Sequence, residues 1–379
     1  MDFESICPDV LISICSFLDY NDKKIFTLTS KIIYNASTFV YHDFIYDIDC
    51  FNILAYDYIL ERVRKIKNYK GDTIESKILE NMHTVRCHNA IKLLNNVRNL
   101  TLYRCGNITD VSMLGNVHTL ILNGCGNITD VSMLGNVHIL DLSGCRKIKD
   151  VSMLGNVHTL NLSGCDIKDV SMLGNVHTLN LSGCHKIKDV SMLGKVHTLD
   201  LGCTDIEDVS MLGNVHTLIL CHCYNFTGVS MLGNVYDLQL SNTDIKDVSM
   251  LGNVHTLDLS NCNYITDVSM LRNVHTLDLS HCMNIRDVSM LGNVHTLGLS
   301  HCMNIRDVSM LGNVHTLDLS HCDNIADVSM LGNVHTLNLS RCYKITDVSM
   351  LGNVHTLYID KYEYNVTGLE NVNMIKVYL

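Results

Sequence analysis

The chain has 379 residues, 47% of them hydrophobic, with one proline, no tryptophan and a formal net charge of −11. Its acidic residues are mostly dispersed as single Asp, which leaves no clustered positive face for general phosphate-backbone binding. No apolar stretch approaches the roughly 20 residues that span a bilayer, and MDFESICPDV has no basic lead into an apolar run, so no secretory signal is predicted. The length alone suggests two or three globular domains. A strong internal repeat replaces that expectation, because a solenoid grows by stacking. Of the 17 cysteines, eleven recur at one place in the repeat. They predict reduced thiols in a core, and a cytosolic compartment, rather than disulfide staples.

Taken in chain order, CPDVLISICSFL (residues 7–18) predicts a helix. Pro8 suits its start, and Val10, Leu11, Ile14, Phe17 and Leu18 share one side. The stretch Asp19–Asp22 can break and recap the chain, after which Ile25, Leu28, Ile32 and Ile33 form a second amphipathic stripe. Read from the residues alone, this is a small helical cap on an open stack end. Residues 51–70 predict a further helix, whose Arg62, Arg64, Lys65, Lys67 and Lys70 read as a solvated face.

The same N-terminal pattern resembles an F-box. Pro8, Asp9, Leu11, Ile12, Ile14, Phe17 and Leu18 match its first half, and Ile25, Leu28, Thr29, Ser30 and Lys31 its second. Cys7 stands where that motif has leucine, Val10 where it has an acidic residue, and Ile33 where it has tryptophan. The resemblance implies a box core or Skp1-type contact made by Pro8, Leu11, Ile14, Phe17, Leu18, Ile25 and Leu28.

Past residue 81 the wording changes. MHTV (82–85) reads as a partial first turn, and IKLLNNVRNLTL (91–102) keeps the repeat's apolar spacing without its wording. The element VSML then begins at thirteen places from 111 to 348, in steps of 20 or 19 residues. With Val117 as position 1, Leu120 is 4, Leu122 is 6, Cys125 is 9, Ile128 is 12, Val131 is 15 and Leu134 is 18. The L-x-L piece alternates with period two and predicts one short strand per turn, with Leu120 and Leu122 inward. Six aliphatic positions fill the coil, neighbouring strands form a parallel ladder about 4.8 Å apart, and VSML has room for one turn of helix. Asp130 is suited to cap free N–H groups ahead of it. Each 19-residue step drops one residue between position 6 and the next isoleucine. VTGLENVNMIKVYL (366–379) is a divergent last unit with its strand near 375–379.

LxLxxCxxITD, as at 120–130, resembles the leucine-rich repeat of the cysteine-containing type, over roughly residues 82–379. The resemblance implies an α/β solenoid with a parallel β ladder and short convex turns, preceded by an all-helical F-box-like domain. The expected organisation is a box at 1–48, a helical linker or cap at 49–81, and a solenoid of 13 regular units with divergent ends at 82–379. It also implies that the position-9 cysteine hydrogen-bonds backbone within its turn, with Thr204 and Thr243 replacing it in two shortened units.

Two stripes run along the repeat. His fills position 2 in twelve units, interrupted by Tyr236. A straight ladder offers metal ions pairs at best rather than a tetrahedral set, so it reads as structural, and mutual repulsion should keep several rings neutral below pH 6. Met at position 17 reads as packing between turns on the convex edge, the alternative being a soft binding face. The position-14 aspartates share one height and do not oppose each other as acid and base must. No catalytic, cofactor or metal site is predicted.

Position 5 varies most informatively, with Asp141, Asn161, Asn180, Asp200, Gln239, Asp258, Asp278, Asp318, Asn338 and Tyr358 expected on an outward, target-binding strand face. His281, His301, His321, Arg341, Arg146 and Lys147 rim it, suiting a polar or basic partner. With the F-box resemblance, the expected role is the substrate-recognition subunit of an SCF-type ubiquitin ligase, joined through Skp1 to a cullin complex and acting by proximity. The rival is a non-enzymatic binding scaffold with a helical cap. The near-identical units and Asn/Ile/Tyr-rich wording also resemble repeat proteins of large DNA viruses, which implies a host cytoplasm. A monomer is expected outside the complex, without nucleic acid or membrane.

Overall fold

The computed structural model describes residues 98–360 except 105 and 107, with 46–47, 85–86, 367–369 and 372–378. The expected box (Pro8, Leu11, Ile14, Phe17, Leu18, Ile25, Leu28) and the expected helix over 51–70 lie outside the described residues. The chain divides into two compact units, Met1–Ile148 and Lys149–Leu379.

In the first unit Tyr46–Asp47 pairs in parallel with Val85–Arg86. Strands Asn99–Thr101, Thr119–Ile121 and Ile139–Asp141 form a parallel ladder in which Leu100, Leu120 and Leu140 lie opposite one another. The second unit repeats this plan from Thr159–Asn161 to Thr336–Asn338, each strand pairing in parallel with the next. Thr356–Asp360 and Met374–Tyr378 end the ladder; the last strand starts one residue before its expected place.

The register follows from what each position can bury. In the turn beginning at Val254, residues Val254, Leu257, Leu259, Cys262, Ile265, Val268 and Leu271 are all at most 2% exposed. Burying each large aliphatic is worth about 1.5–3 kcal/mol, and a one-residue slip would turn the strand leucines outward. Ladder hydrogen bonds continue past the short strands, as where Leu259 N–H donates to Asp278 O and Asn261 N–H to Ser280 O, both at 2.8 Å. The inward aliphatic set and the parallel ladder are as the sequence predicts.

The return side is a single 3₁₀ turn, such as Ser269–Leu271. Asp267 precedes it, and its carboxylate accepts the Ser269 N–H at 2.9 Å. The same bond recurs at Asp150, Asp189 and Asp307, so the expected capping role holds. These bonds keep the carboxyls of Asp150, Asp189 and Asp307 below the usual range. Position 19 is glycine because turns touch there: a Cβ on Gly252 would collide with the carbonyl oxygen of Met270 on the next turn.

Candidate interaction surface

Four rows of side chains leave the ladder outward, at positions 2, 3, 5 and 7. In the second unit the position-2 rings stack without a break from His158 to His355. Centroids lie 4.4–4.8 Å apart, and most interplanar angles are near 10°. Tyr236 takes its place in the column between His216 and His255. In the first unit His118 and His138 meet at 4.8 Å with a 41° tilt. In the second unit each position-2 histidine sets Nδ1 against the hydroxyl of the following threonine, at 3.2 Å for His158 and 3.1 Å for His355.

Parallel rings aim their nitrogens side by side and not at a common point. Among the described residues no group of three or more His, Cys, Asp or Glu side chains is placed to hold a metal ion. The titration of His197 and His315 is shifted down, first by partial desolvation and then by the rings on either side. This is the direction expected from the stripe.

The position-5 row is half-buried and tied to the backbone. The Oδ1 atoms of Asp141, Asp258, Asp278 and Asp318 accept the N–H two residues on, each at 2.8 Å. Asn161, Asn180, Asp200 and Asn338 do the same at 2.8–3.1 Å. Burial pushes the Asp200 carboxyl up, against the lowering effect of its bond from Gly202 N–H. Each of these side chains thus commits one oxygen to the fold, which leaves an aspartate its second carboxylate oxygen and an asparagine its NH2 group. Gln239 lies between Ile219 and Asp258 in the register. Tyr358 sits under the Lys376 ammonium, 4.8 Å from its ring centroid.

One turn departs from the rest across several rows. Tyr236 replaces histidine, Asp237 replaces threonine, and Gln239 replaces Asp or Asn. Asp237 Oδ1 is buried with no hydrogen-bond partner among the described residues. At the loop beyond the strand, position 8 adopts a left-handed backbone, with φ from 59° to 62° at His281, His301, His321 and Arg341. The three histidines stack at 4.2 and 3.9 Å. The left-handed conformation was not legible from position 8 alone; glycine at the same place in earlier turns, such as Gly124 (φ +70°), was the available signal.

The position-9 cysteines point into the core, as expected, but their bonds correct the expectation drawn from the resemblance. Nine of the sulfurs donate to the position-6 carbonyl of the preceding turn, as Cys282 to Leu259 O and Cys302 to Leu279 O, both at 3.1 Å. The threonines behave differently: Thr204 and Thr243 donate to Leu201 O and Leu240 O of their own turns, at 2.5 and 2.8 Å. Leu201 and Leu240 also accept Cys223 and Cys262 from the following turns. A hydroxyl on a shortened loop reaches back where a thiol reaches across.

The position-17 methionines are a second correction. Met153, Met192 and Met310 are about 60% exposed, so they project outward instead of packing between turns. The position-19 glycine seats against the methionine carbonyl and leaves the side chain outside.

A leucine-rich-repeat sequence profile matches residues 156–173 and 253–272. No curated protein sequence matches the chain. Among solved structures, an internalin (InlF) of Listeria monocytogenes aligns over 84% of this chain and 94% of its own, at 21% identity and a TM-score of 0.50. A leucine-rich-repeat protein of Leptospira interrogans aligns over 78% of this chain and 99% of its own, at 17% identity and a TM-score of 0.49. TLR13, solved in complex with single-stranded RNA, aligns over 83% of this chain and 63% of its own, at 17% identity and a TM-score of 0.50. The fold is a parallel-β leucine-rich-repeat solenoid.

Proposed function

We propose that this chain is a protein-interaction scaffold that binds a partner through its strand face and carries out no bond chemistry of its own. One observation carries this reading. The aliphatic side chains of each turn are consumed inside, while the ladder holds outward rows at fixed spacing and varies them locally. The turn carrying Tyr236, Asp237 and Gln239 is the most individual part of that face and the best candidate for partner discrimination, since fixed aromatic and polar groups on a rigid support lose little entropy on binding. The partner surface is polar or basic, matching the free carboxylate oxygens of Asp258, Asp278 and Asp318. The test compares the full chain with a Tyr236→Ala, Asp237→Ala, Gln239→Ala variant of equal stability in affinity capture followed by cross-linking. A partner cross-linked to the strand face and lost in the variant supports the assignment; cross-links confined to the return side refute it.

A second reading rests on the sequence pattern at residues 7–33. The scaffold would be the target-binding arm of an SCF-type ubiquitin ligase, with Leu11, Ile14, Phe17 and Leu18 engaging Skp1 in a reducing, cytoplasmic compartment, that of the host if the chain is viral. Full-length protein should then retain Skp1 at micromolar concentration and lose it on Leu11→Asp. Absence of wild-type retention leaves the scaffold without a ligase role.

A further inference from the structure

The methionine row is an exposed apolar feature that the binding role leaves unused. In the second unit eleven methionines, from Met153 to Met350, stand one per turn and point outward. Ten are 55–64% exposed and Met290 is 45% exposed. The main chain beneath them is held by contact between turns. A Cβ on Gly174, Gly194, Gly213 or Gly312 would strike the carbonyl oxygen of the methionine one turn on. Where Arg272 replaces that glycine, the next turn's methionine is Met290, the least exposed of these eleven.

Sulfur is therefore sorted by chemistry. No methionine belongs to the buried core of the described residues, and the interior sulfur is thiol. Burial pushes the thiols of Cys184 and Cys302 up to about 11 and about 12. A thiol reacts with peroxides as its thiolate, so this interior row is inert twice over, by access and by protonation. A thioether needs no deprotonation, only access.

We propose that the methionine row is a modification site for hydroperoxides, which turn an apolar ridge into a polar one while the core stays intact. A thioether sulfur lone pair attacks one peroxide oxygen. An S–O bond forms, the O–O bond breaks, and the proton on the transferred oxygen passes through solvent to the departing oxygen. Sulfur loses two electrons, and the peroxide is reduced to water or an alcohol. Each sulfoxide replaces an apolar contact with a strong hydrogen-bond acceptor, and one falls on each turn, in steps of about 4.8 Å. The inference is independent of what the strand face binds.

The test treats the full chain with hydrogen peroxide alongside N-acetylmethionine amide and follows each methionine by peptide mass mapping. The exposed Cys203, the partly exposed Cys221 and the off-row Met283 and Met374 are resolved as separate peptides. The row should oxidise within about threefold of the free reference, with Met290 slowest and Arg272→Gly raising Met290 to the rate of its neighbours. The circular-dichroism signal and the position-9 thiols, counted in denaturant, should be unchanged. Retention on a hydrophobic-interaction column should fall with each oxygen and return on treatment with methionine sulfoxide reductases. The proposal is overturned by row rates about tenfold or more below the reference, by loss of sheet signal in step with oxygen uptake, or by oxidation of the buried thiols before the methionines.

Discussion

Turns from Val254 to Gly332 follow one plan closely, whereas those from Val196 to Asn253 break it repeatedly. In the latter, Thr204 and Thr243 replace cysteine, Gly228 replaces the capping aspartate, and Tyr236 replaces histidine. Yet Leu218, Leu220, Leu238 and Leu240 remain 0% exposed, as deep as any leucine in the regular run. The damage falls on the return side. Phe226 and Val229 are half-buried where the regular turns bury isoleucine and valine, and the 3₁₀ turn lengthens to Val229–Asn234. A hollow of about 490 Å³ opens there, lined by Asn225, Phe226, Gly228, Asp244, Lys246 and Met250 among others. The two halves of a turn are specified separately. Hydrogen bonds to both neighbours hold the strand half in register, while the return half of a regular turn rests on side-chain packing, its own 3₁₀ bond and one cap, to which the irregular turn adds backbone bonds from Thr227 to Glu207 O and from Val209 to Thr227 O.

The largest expected effect tests that separation directly. Leu299→Ala in the regular run and Leu240→Ala in the irregular one should each cost about 2–5 kcal/mol in chemical denaturation, since both leave cavities behind an intact ladder. On the return side the two regions should part: Ile305→Ala should cost a similar amount, and Phe226→Ala about 1 kcal/mol, because a half-exposed ring loses less on truncation. Equal losses at Ile305 and Phe226 would show that the turns are specified as wholes.

A smaller effect goes against the obvious repair. Gly228→Asp restores the repeat's wording, yet Gly228 sits at φ +88°, and a Cβ there would lie 2.6 Å from both Asp208 Oδ1 and Ser210 N. The variant should be less stable by about 1–3 kcal/mol, with a lower thermal midpoint. A rise in midpoint would mean that the local backbone relaxes to the regular form.

These contrasts also mark what the sequence could carry. A fixed period made the six aliphatic positions, the inward cysteine and the capping aspartate legible, because each follows from spacing and local chemistry. The cysteine's acceptor was not, since a partner on the preceding turn depends on how far one strand sits from the next. The exposure of Met192 was hidden for the same reason: only stacked turns reveal that Gly174 meets its carbonyl. The tie between Asp278 and Ser280 N–H was legible in principle, as Asp-x-Ser recurs in many turns, but a variable position reads first as free surface. Nothing in the pattern at residues 7–33 reaches the described structure, so that segment stays an expectation from resemblance.

Acid should weaken both regions. His197 and His315 titrate below the ordinary histidine value in the folded chain, so below that value the unfolded chain binds more protons. The stability they contribute is fully present above about pH 6.5 and is lost as the pH falls through the folded value. The urea midpoint should therefore drop between about pH 7.5 and 5.5, well before carboxylates such as Asp267, themselves held low by Ser269, begin to protonate. An unchanged midpoint over that range would show that the stacked rings are not coupled to folding.

The smallest effect isolates the one phenol ring in the second unit's column of imidazoles. Tyr236 stacks 4.8 Å from His216 and 4.4 Å from His255, and its phenol ring separates two runs of imidazoles. Tyr236→His would join them, placing a chargeable ring beside each. Because the column is exposed and screened, the added repulsion should amount to a few tenths of a kcal/mol. It should appear as a larger acid-induced shift in urea midpoint than the wild type shows, and added salt should shrink the difference. Parallel pH profiles for the two proteins would mean that each ring answers only to solvent, leaving Tyr236 to be explained by what it touches on a partner.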